Sequence, residues 1–436
     1  MRVLLLNQCF YPDLPATGQY LSELAVGLSE RGHSVTVITS QRGYDDPTLK
    51  FPKEETWKGV RIVRLATFAL GKKGRVRRAL NFASFFFSCT LRLLRLSRFD
   101  VVIALTSPPL ISWLGSMFVR LKGGRLVFWI MDLNPDEAIA AGWLEKDSTV
   151  ARILERFLRN SMRHSAKIVA LDRFVKQRVS EKGIPADKIA IIPPWSHDDD
   201  VHYDAQGRDE FRERHALSDK FVVMYSGNHS PCHPLDTLLE AAGRLRDRSD
   251  IAFCFVGGGS EQHKVRAFAT ERGLVNIMCL PYQPLSQLSA SLSAGDLQVI
   301  VMGDAFAGIL HPCKVYNILA IGSPFLYIGP NESHVTDLLA QIDGRDNHHK
   351  VKHGDVDSVV RAITESAVAR NRHHLDGREL AAGCTKDAVL PRLINIVEAV
   401  GATSEDGAPA SGALPATPFA SAVEPIDKQL ERSIGS

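Results

Sequence analysis

The sequence lacks both a strong excess of one charge and any ordered pattern of cysteines. Its 436 residues carry a net charge of +3, too little for a global field that attracts nucleic acid, so we expect no nucleic-acid partner. The seven cysteines are scattered without a Cys-x-x-Cys pair, which argues against a zinc site or a disulfide framework. They are typical of reduced thiols in an intracellular protein.

The chain is also poor in long hydrophobic runs. An apolar run begins at Val3, but Asn7 and Gln8 end it too early for the core of a secretory signal. The uncharged segment 101–119 has nearly the length of a membrane span, yet Pro108 and Pro109 interrupt its centre. We therefore expect a strand, a turn and a helix there, in a cytoplasmic protein.

What the chain does have is an alternation of apolar strands with amphipathic helices. Hydrophobic residues make up 45% and charged residues 23%, as in globular proteins, and the length is too great for one ordinary core. The pattern predicts strands in the first half at 2–7, 34–39, 61–65, 100–105, 125–130, 167–171 and 188–192, and in the second half at 221–225, 251–256, 276–280, 297–302 and 324–328.

These near-continuous apolar strands predict an α/β fold of two facing Rossmann-like domains, each a doubly wound parallel sheet, with a cleft between the carboxyl ends of both sheets. We assign residues 1–195 to the first domain, 196–218 to a linker and 219–375 to the second domain. Residues 376–400 are predicted to form helices that pack back on the first domain. Residues 401–436, rich in Ala, Gly, Pro, Ser and Thr, are predicted to be a disordered tail.

The segment 308–324 follows a predicted strand and passes from a loop of small residues into a helix. Lys314 and Asn317 lie three residues apart and therefore on one helix face, where a lysine and backbone amides can bind a phosphate. An ordinary strand–helix–strand unit with an incidental lysine fits equally well. Two glycine-rich turns at predicted strand ends, 226–229 and 256–260, favour a nucleotide or phosphate ligand in the second domain.

The first domain offers polar residues on the same side of the predicted cleft. Thr17 and Gly18 lie in the loop that leads into the first helix, where Thr17 is alternatively a helix cap. Asp132 and Asp136 follow another predicted strand. Asp136 fits a capping role best, whereas for Asp132 a cap and a role as base or hydroxyl ligand remain equally open.

A basic, aromatic segment lies between Arg75 and Arg98. A helix with aromatic and aliphatic bulk and flanking arginines suits an anionic membrane surface, although a core helix with a basic solvent face is the alternative. Its arginines are Arg75, Arg77, Arg78, Arg92, Arg95 and Arg98. The acidic run 197–200 is interpreted as an exposed turn rather than a metal site.

The order and spacing of six segments resemble a GT-B glycosyltransferase of family 4. The resemblance is greatest to the branch of capsule, O-antigen and colanic-acid-type sugar transferases, and it extends from Arg2 to about Val400. The segments are 7–19, 31–37, Asp132-Leu133-Asn134-Pro135-Asp136, 192–195, 225–228 and His311-Pro312-Cys313-Lys314-Val315-Tyr316-Asn317 with its continuation to Pro324.

This resemblance implies that the second domain binds a nucleotide-diphosphate sugar and the first a glycan or lipid-linked acceptor. It implies retention of anomeric configuration, with no cofactor and no required metal. Lys314 would help the nucleotide to leave, and Asp132 would orient sugar hydroxyls, so both are the implied catalytic residues. The implied donor-binding residues are Gly18, Ser226, Gly227, Asn228, Gly257, Gly258, Tyr282, Gly308, Ile309, Leu310, Lys314 and Asn317, with Thr17 and Asp132 on the acceptor side.

Within that set, the resemblance directs the amides of residues 308–310 to the diphosphate, the backbone near Tyr282 to the base and Asn317 to the ribose. Three positions depart from the family pattern. Ile309 and Asn317 replace two glutamates, and His233 replaces a lysine, where we expect a part-time charge near neutral pH.

Three functions therefore remain open at this point. The first is a retaining glycosyltransferase, peripheral on the inner face of the plasma membrane, that extends a lipid-linked glycan. The second is a GT-B sugar-nucleotide epimerase. The third, suggested by Ile309 and His233, is a catalytically inactive GT-B protein that binds a sugar nucleotide or a partner enzyme.

Overall fold

Two parallel sheets organise the chain, each built from short runs of aliphatic residues that are buried on both faces. The computed structural model describes residues 1–13, 15–44, 46, 48–68, 75–196, 201–342, 348–369 and 378–402. The predicted acidic turn at 197–200 and the predicted tail from residue 403 onward lie outside these described residues.

The first domain is an eight-stranded sheet in the order β3-β4-β2-β1-β5-β6-β7-β8, in which all neighbours are parallel except β3 and β4. Its strands are β1 (Arg2–Leu6), β2 (Ser34–Ser40), β3 (Glu54–Trp57), β4 (Val60–Leu65), β5 (Val101–Ala104), β6 (Arg125–Trp129), β7 (Lys167–Ala170) and β8 (Ile189–Ile191). Its helices are α1 (Ala16–Glu30), α2 (Arg75–Leu94), α3 (Ile111–Lys122), α4 (Asp136–Ala140), α5 (Thr149–His164) and α6 (Arg173–Glu181).

The second domain is a six-stranded, fully parallel sheet in the order β11-β10-β9-β12-β13-β14. Its strands are β9 (Phe221–Asn228), β10 (Ile251–Gly258), β11 (Ile277–Leu280), β12 (Leu297–Val301), β13 (Phe325–Ile328) and β14 (His349–Val351). The helices that follow the first domain are α7 (Ala205–Arg214), α8 (Asp236–Arg244), α9 (Gln262–Glu271), α10 (Leu288–Ser293), α11 (Lys314–Ala320), α12 (His334–Leu339), α13 (Val356–Val368), α14 (Arg378–Gly383) and α15 (Lys386–Ala402).

The two faces of β1 show why these strands lie inside a layered domain. Val3 and Leu5 are buried in the cluster that includes α1, whereas Leu4 and Leu6 are buried on the other face beside α2 and α3. A strand without a polar face is stable only when helices cover both sides. The structure thus confirms the predicted α/β class and its two parallel-sheet domains.

Helix α15 returns to the first domain and completes its core. Leu393 and Ile394 are buried in one cluster with residues of α1 and β6. Gly27 of α1 allows this close approach, because a Cβ there would lie 2.8 Å from the Ile394 side chain. The Glu398 carboxylate binds both Arg31, at 2.8 Å, and His33, at 2.9 Å, at the edge of the contact.

The segment 196–218 does not act only as a linker, which corrects our assignment. Its helix α7 packs against α10 in the second domain. Arg212 of α7 is buried and donates to the Asp296 carboxylate at 3.0 Å and to the carbonyl of Ala294 at 3.1 Å. A buried, paired arginine fixes α7 to the second domain, a contact that a helix pattern alone does not reveal.

Two edge strands were missing from the sequence prediction. Strand β3 is short and polar, with the sequence Glu-Glu-Thr-Trp, and β14 has only three residues, so neither shows an apolar run. The uncharged segment 101–119 forms β5 and most of α3, as expected. Among the described residues, no helix has the length and apolarity needed to cross a membrane.

Replacing Leu393 tests the contribution of α15 to the first domain. We expect Leu393→Ala to lower the free energy of unfolding by about 2–5 kcal/mol, because it leaves a cavity in the α1–α15 contact. Urea denaturation measures the change. The exposed Ala399→Ser on the same helix is the control, with an expected change within about 0.5 kcal/mol. Equal stability of Leu393→Ala and wild type would contradict this packing role.

Candidate active site

The carboxyl ends of β9 and β10 and the start of α11 meet at one point in the second domain. Gly227 pairs with Gly257 in the register of these strands, and Asn228 pairs with Gly258. Lys314 is the first residue of α11. The structure therefore brings together the two glycine-rich turns and the lysine that the sequence singled out separately.

The Lys314 ammonium is buried, and no anionic group of the described residues pairs with it. Its Nζ lies 3.7 Å from the centroid of the Tyr225 ring, a cation–π contact. Nζ has no hydrogen-bond partner among the described residues, and burial lowers the pKa of Lys314 to about 7. Gly227 makes room for it, since a Cβ there would lie 2.9 Å from Nζ, and its φ of 141° suits glycine. A buried, unpaired cation is costly, and a bound anion would relieve that cost.

His229 is a second polar side chain beside this lysine. It is fully buried against Tyr225, with ring centroids 5.1 Å apart, and its two ring nitrogens have no hydrogen bond within the described chain. Burial and the nearby Lys314 lower the pKa of His229, against the opposing effect of backbone groups at Gly258 and Gly227. His229 lies in the glycine-rich turn 226–229, and no local sequence pattern indicated a role for it.

The loop before α11 packs on the first domain. Gly308 has a φ of 70°, and a Cβ there would lie 2.8 Å from the carbonyl oxygen of Phe174 on α6. Ile309 is 3% exposed within a cluster of first-domain residues, and its carbonyl accepts a hydrogen bond of 3.1 Å from the Leu133 amide. Ile309 therefore joins the two domains, which gives this departure from the family pattern a structural role.

The amides in this loop correct one expectation. The amides of Ile309 and Leu310 both donate to the carbonyl of Phe306, at 2.9 and 3.1 Å. They are therefore already bonded and do not face a diphosphate in this conformation. The sequence pattern identified the loop. It could not show that a 3-10 turn at Asp304–Phe306 would place the Phe306 carbonyl where it accepts hydrogen bonds from the amides of the loop.

Asp132 lies in the interdomain cleft, just after β6. Burial, and to a smaller extent the nearby Glu137, raise the pKa of Asp132 to about 7. Its backbone amide donates to the Thr106 hydroxyl at 3.3 Å. The side-chain amide of Asn134 donates to Glu137 at 2.8 Å, which positions this second carboxylate. A carboxyl group with such a pKa can hold or release a proton near neutral pH.

Glu137 was missed by the sequence analysis, although its spacing of three from Asn134 on a helix start was a usable signal. Asp136 has a structural role instead. It lies in the first turn of α4, where its carboxylate accepts from Lys182 at 2.9 Å.

The remaining predicted positions surround these groups. Gly18 is buried in the first turn of α1, where a Cβ would lie 3.3 Å from the backbone of Cys9 and Phe10, and Thr17 is half-buried beside it. The Tyr282 ring covers Gly258, and its hydroxyl donates to the Gly258 carbonyl at 3.3 Å. Ser226 is half-buried at the end of β9, and Asn317 is half-buried one turn beyond Lys314.

His233 behaves differently from the expectation of a part-time charge. Burial lowers the pKa of His233 to about 3, and the positive Lys314 adds to the effect. Its Nδ1 lies 2.7 Å from the carbonyl oxygen of Val301, to which the neutral ring donates. His233 is therefore neutral at physiological pH and leaves Lys314 as the charge at this point of the site.

Three buried side chains at the domain interface could be considered as metal ligands. Asp172, His311 and His334 hold their ligand atoms within 4.8 Å of one another. The two imidazole rings, however, stack with centroids 3.6 Å apart and an interplanar angle of 20°. Their in-plane lone pairs then run side by side rather than converge, which does not fit a shared metal ion.

Two family models match successive parts of the chain. The family model described as "Glycosyl transferase 4-like domain" matches residues 16–195, and that described as "Glycosyl transferases group 1" matches residues 207–309. WcaI of Escherichia coli (strain K12), named as a colanic acid biosynthesis glycosyl transferase, is 28% identical over 336 residues, which cover 74% of this chain and 82% of WcaI.

Solved structures share the fold. Sucrose-phosphate synthase from Thermosynechococcus elongatus superposes with a TM-score of 0.74 at 14% identity, over 93% of this chain and all of that chain. HepE from Anabaena, in complex with UDP-glucose, superposes with a TM-score of 0.66 at 12% identity, over 91% and 99% of the two chains. The chain belongs to the GT-B glycosyltransferases of family 4, with a 4-like first domain and a group 1 second domain.

Proposed function

We propose that this chain is a retaining glycosyltransferase that moves a sugar from a nucleotide-diphosphate sugar to a glycan or lipid-linked acceptor in cell-surface polysaccharide synthesis. The observation that carries the proposal is the buried Lys314 ammonium, which has no anion beside it in the described chain. The name of WcaI supports the polysaccharide context, and the UDP-glucose complex of HepE supports a sugar-nucleotide donor.

Lys314 would bind the donor diphosphate and stabilise the charge that develops as the nucleotide leaves. A cation acts most strongly where water is excluded, and Nζ lies in such a place between Tyr225 and Gly227. In this proposal Tyr282 contacts the base and Asn317 the ribose hydroxyls, which a neutral amide binds as both donor and acceptor. No metal is needed, because the lysine supplies the charge.

Asp132 would bind sugar hydroxyls on the acceptor side. Its carboxyl lies in the cleft opposite the second domain, and its raised pKa lets it accept or donate a hydrogen bond near neutral pH. Burial, with a smaller contribution from Glu137, keeps the pKa of Asp132 high. We expect Asp132 to orient the acceptor rather than to activate it by complete proton removal.

The membrane partner is proposed from the surface of α2. Four of its large apolar side chains are exposed with the spacing of one helix face, so they form a stripe. They are Leu80, Phe87, Leu91 and Leu94. Helix α5, which packs beside α3, adds the exposed Val150, Ile153 and Phe157 to this side of the domain. An exposed apolar area of this kind marks a surface that contacts a partner or a membrane.

Arginines accompany the apolar stripe at the end of α2. Arg2, Arg61, Arg92 and Arg95 line a cavity of about 450 Å³ between this end of the helix and the sheet. Glu54 pairs with Arg61 and Arg92 there, which leaves an excess of positive charge. Apolar side chains beside arginines suit the inner, anionic face of a membrane, where a lipid-linked acceptor would lie.

Replacing the lysine tests the donor site. We expect Lys314→Ala to lower kcat for sugar transfer by about 10²–10³-fold, because one charge at the leaving diphosphate is lost. Transfer from radiolabelled UDP-, GDP- and dTDP-sugars to membrane extracts measures it, with the exposed Lys264→Ala of the same domain as control. Normal turnover of Lys314→Ala would refute the assignment, and release of an epimerised sugar nucleotide would favour the epimerase.

The pH dependence of donor binding follows from the lowered pKa of Lys314. The lysine is charged below pH 7 and progressively neutral above it, so donor affinity is expected to fall up to tenfold per pH unit above about pH 7. Calorimetric titration with sugar nucleotides from pH 6 to pH 9 measures this slope. We expect the pH dependence of donor affinity to disappear in Lys314→Met. We expect it to persist in Asp132→Asn, which removes the other group with a pKa near 7. A flat profile in wild type would contradict the prediction.

The α2 surface is tested by vesicle sedimentation. We expect the double variant Phe87→Ser and Leu91→Ser to lose binding to vesicles of phosphatidylcholine with phosphatidylglycerol, because it removes exposed apolar area. The matched control is Val275→Ser, which changes an apolar side chain, 96% exposed, on the other domain. Binding of the double variant at the wild-type level would exclude this surface as the contact.

A further inference from the structure

We propose that His311 is a positioning residue that closes the interdomain cleft, by linking the Asp172 carboxylate of the first domain to Tyr316 on the helix that begins with Lys314. The proposal deepens the glycosyltransferase function and rests on it. The structure gives these three residues a continuous hydrogen-bonded chain across the domain boundary. None of them was assigned a role from the sequence.

The contacts of the chain are short and buried. Asp172 caps α6, where one carboxylate oxygen accepts from the Val175 amide at 2.7 Å. Its other oxygen lies 2.8 Å from Nδ1 of His311, and Nε2 of His311 lies 2.7 Å from the Tyr316 hydroxyl. Asp172, His311 and Tyr316 are 7%, 8% and 2% exposed, so water does not compete for these bonds.

The chemistry of Asp172 fixes the direction of the first hydrogen bond. Burial opposes ionisation of Asp172, but the hydrogen bond and charge of His311, together with His334 and the Val175 amide, lower the pKa of this carboxyl, which is therefore an acceptor. Burial raises the pKa of Tyr316, whose hydroxyl therefore keeps its proton and remains a partner for Nε2 of His311. With its Nδ1–H directed at the carboxylate, the imidazole of His311 satisfies both partners at once.

His334 holds the His311 ring in this orientation. The two rings stack, and Nδ1 of His334 lies 3.8 Å from the same Asp172 oxygen that His311 binds. Burial and the adjacent His311 lower the pKa of His334, so it stays neutral beside the ring it covers. The two hydrogen bonds thus fix the orientation of the His311 ring within its plane, and the stack with His334 prevents its displacement perpendicular to that plane.

The position of the chain in the fold explains why it would control closure. Helix α6 also donates from Arg178 to the carbonyl of Ala307 at 2.8 Å, and Gly308 lies against the Phe174 carbonyl, so the start of the loop 307–313 rests on α6. His311, three residues before Lys314, hydrogen-bonds the later part of that loop to Asp172. Without this hydrogen bond, the loop can separate from the first domain, and Lys314 then moves relative to Asp132. Misplacement of catalytic groups by about 1 Å can cost about 10²-fold in rate.

The test compares variants that break single links of the chain. Tyr316→Phe removes one hydroxyl, and Asp172→Asn keeps the cap of α6 but changes the group that faces His311. We expect each to lower kcat by about 10- to 100-fold. Dissociation constants for UDP and GDP should change by less than about threefold, because the proposed contacts to base, ribose and diphosphate at Tyr282, Asn317 and Lys314 all lie within the second domain.

The control breaks another contact between the same domains. Arg173 of α6 forms an ion pair with Asp337 at 2.7 Å, and the two side chains are 49% and 36% exposed to water. We expect Arg173→Ala to stay within about twofold of the wild-type kcat, since exposed ion pairs contribute little. A loss in Arg173→Ala equal to that in Tyr316→Phe would overturn a special role for His311.

Small-angle X-ray scattering tests closure without any transfer reaction. His311→Ala is expected to give a larger radius of gyration than wild type, with and without UDP or GDP. If the wild type transfers no sugar, the proposed function fails while scattering still tests the closure role. Unchanged compactness with unchanged kcat overturns the proposal. So does a loss of kcat that only parallels lower thermal stability and weaker nucleotide binding, which would indicate a merely structural residue.

Discussion

The ammonium of Lys314, which has no partner in the described part of the chain, is the constraint on which the rest of the site depends. Its burial against Tyr225 costs free energy that the folded chain alone does not recover, as its lowered pKa shows. The glycine at Gly227 and the buried, unpaired His229 leave space and polar atoms around it. The site is thus prepared for an anion, and the diphosphate of a sugar nucleotide is the anion that the glycosyltransferase family implies.

The second constraint is the contact between the domains. The loop that leads to Lys314 belongs to the second domain, yet Gly308 and Ile309 pack on the first. The position of the lysine therefore depends on how the domains close, and α15, which packs back on α1, holds the two halves of the chain together. The position of Lys314 relative to Asp132 and the closure of the domains are thus both set by one short segment.

Much of this was predictable from local pattern. Runs such as residues 297–302 have no polar face, so they predicted buried parallel strands, and the glycine turns and Lys314 predicted an anion site at their ends. Contacts between distant residues were not predictable. The charge of His233 depends on its burial, and the chain from Asp172 to Tyr316 depends on domain packing, neither of which a sequence pattern encodes.

The central claim is that donor binding supplies the missing anion to Lys314, and proton uptake tests it most directly. Calorimetry at pH 8 in buffers of different ionisation enthalpy counts the protons taken up when a sugar nucleotide binds. With a free-state pKa of about 7, the account predicts an uptake of nearly one proton, present in Asp132→Asn and absent in Lys314→Met. Binding without proton uptake, or uptake that persists in Lys314→Met, would contradict it.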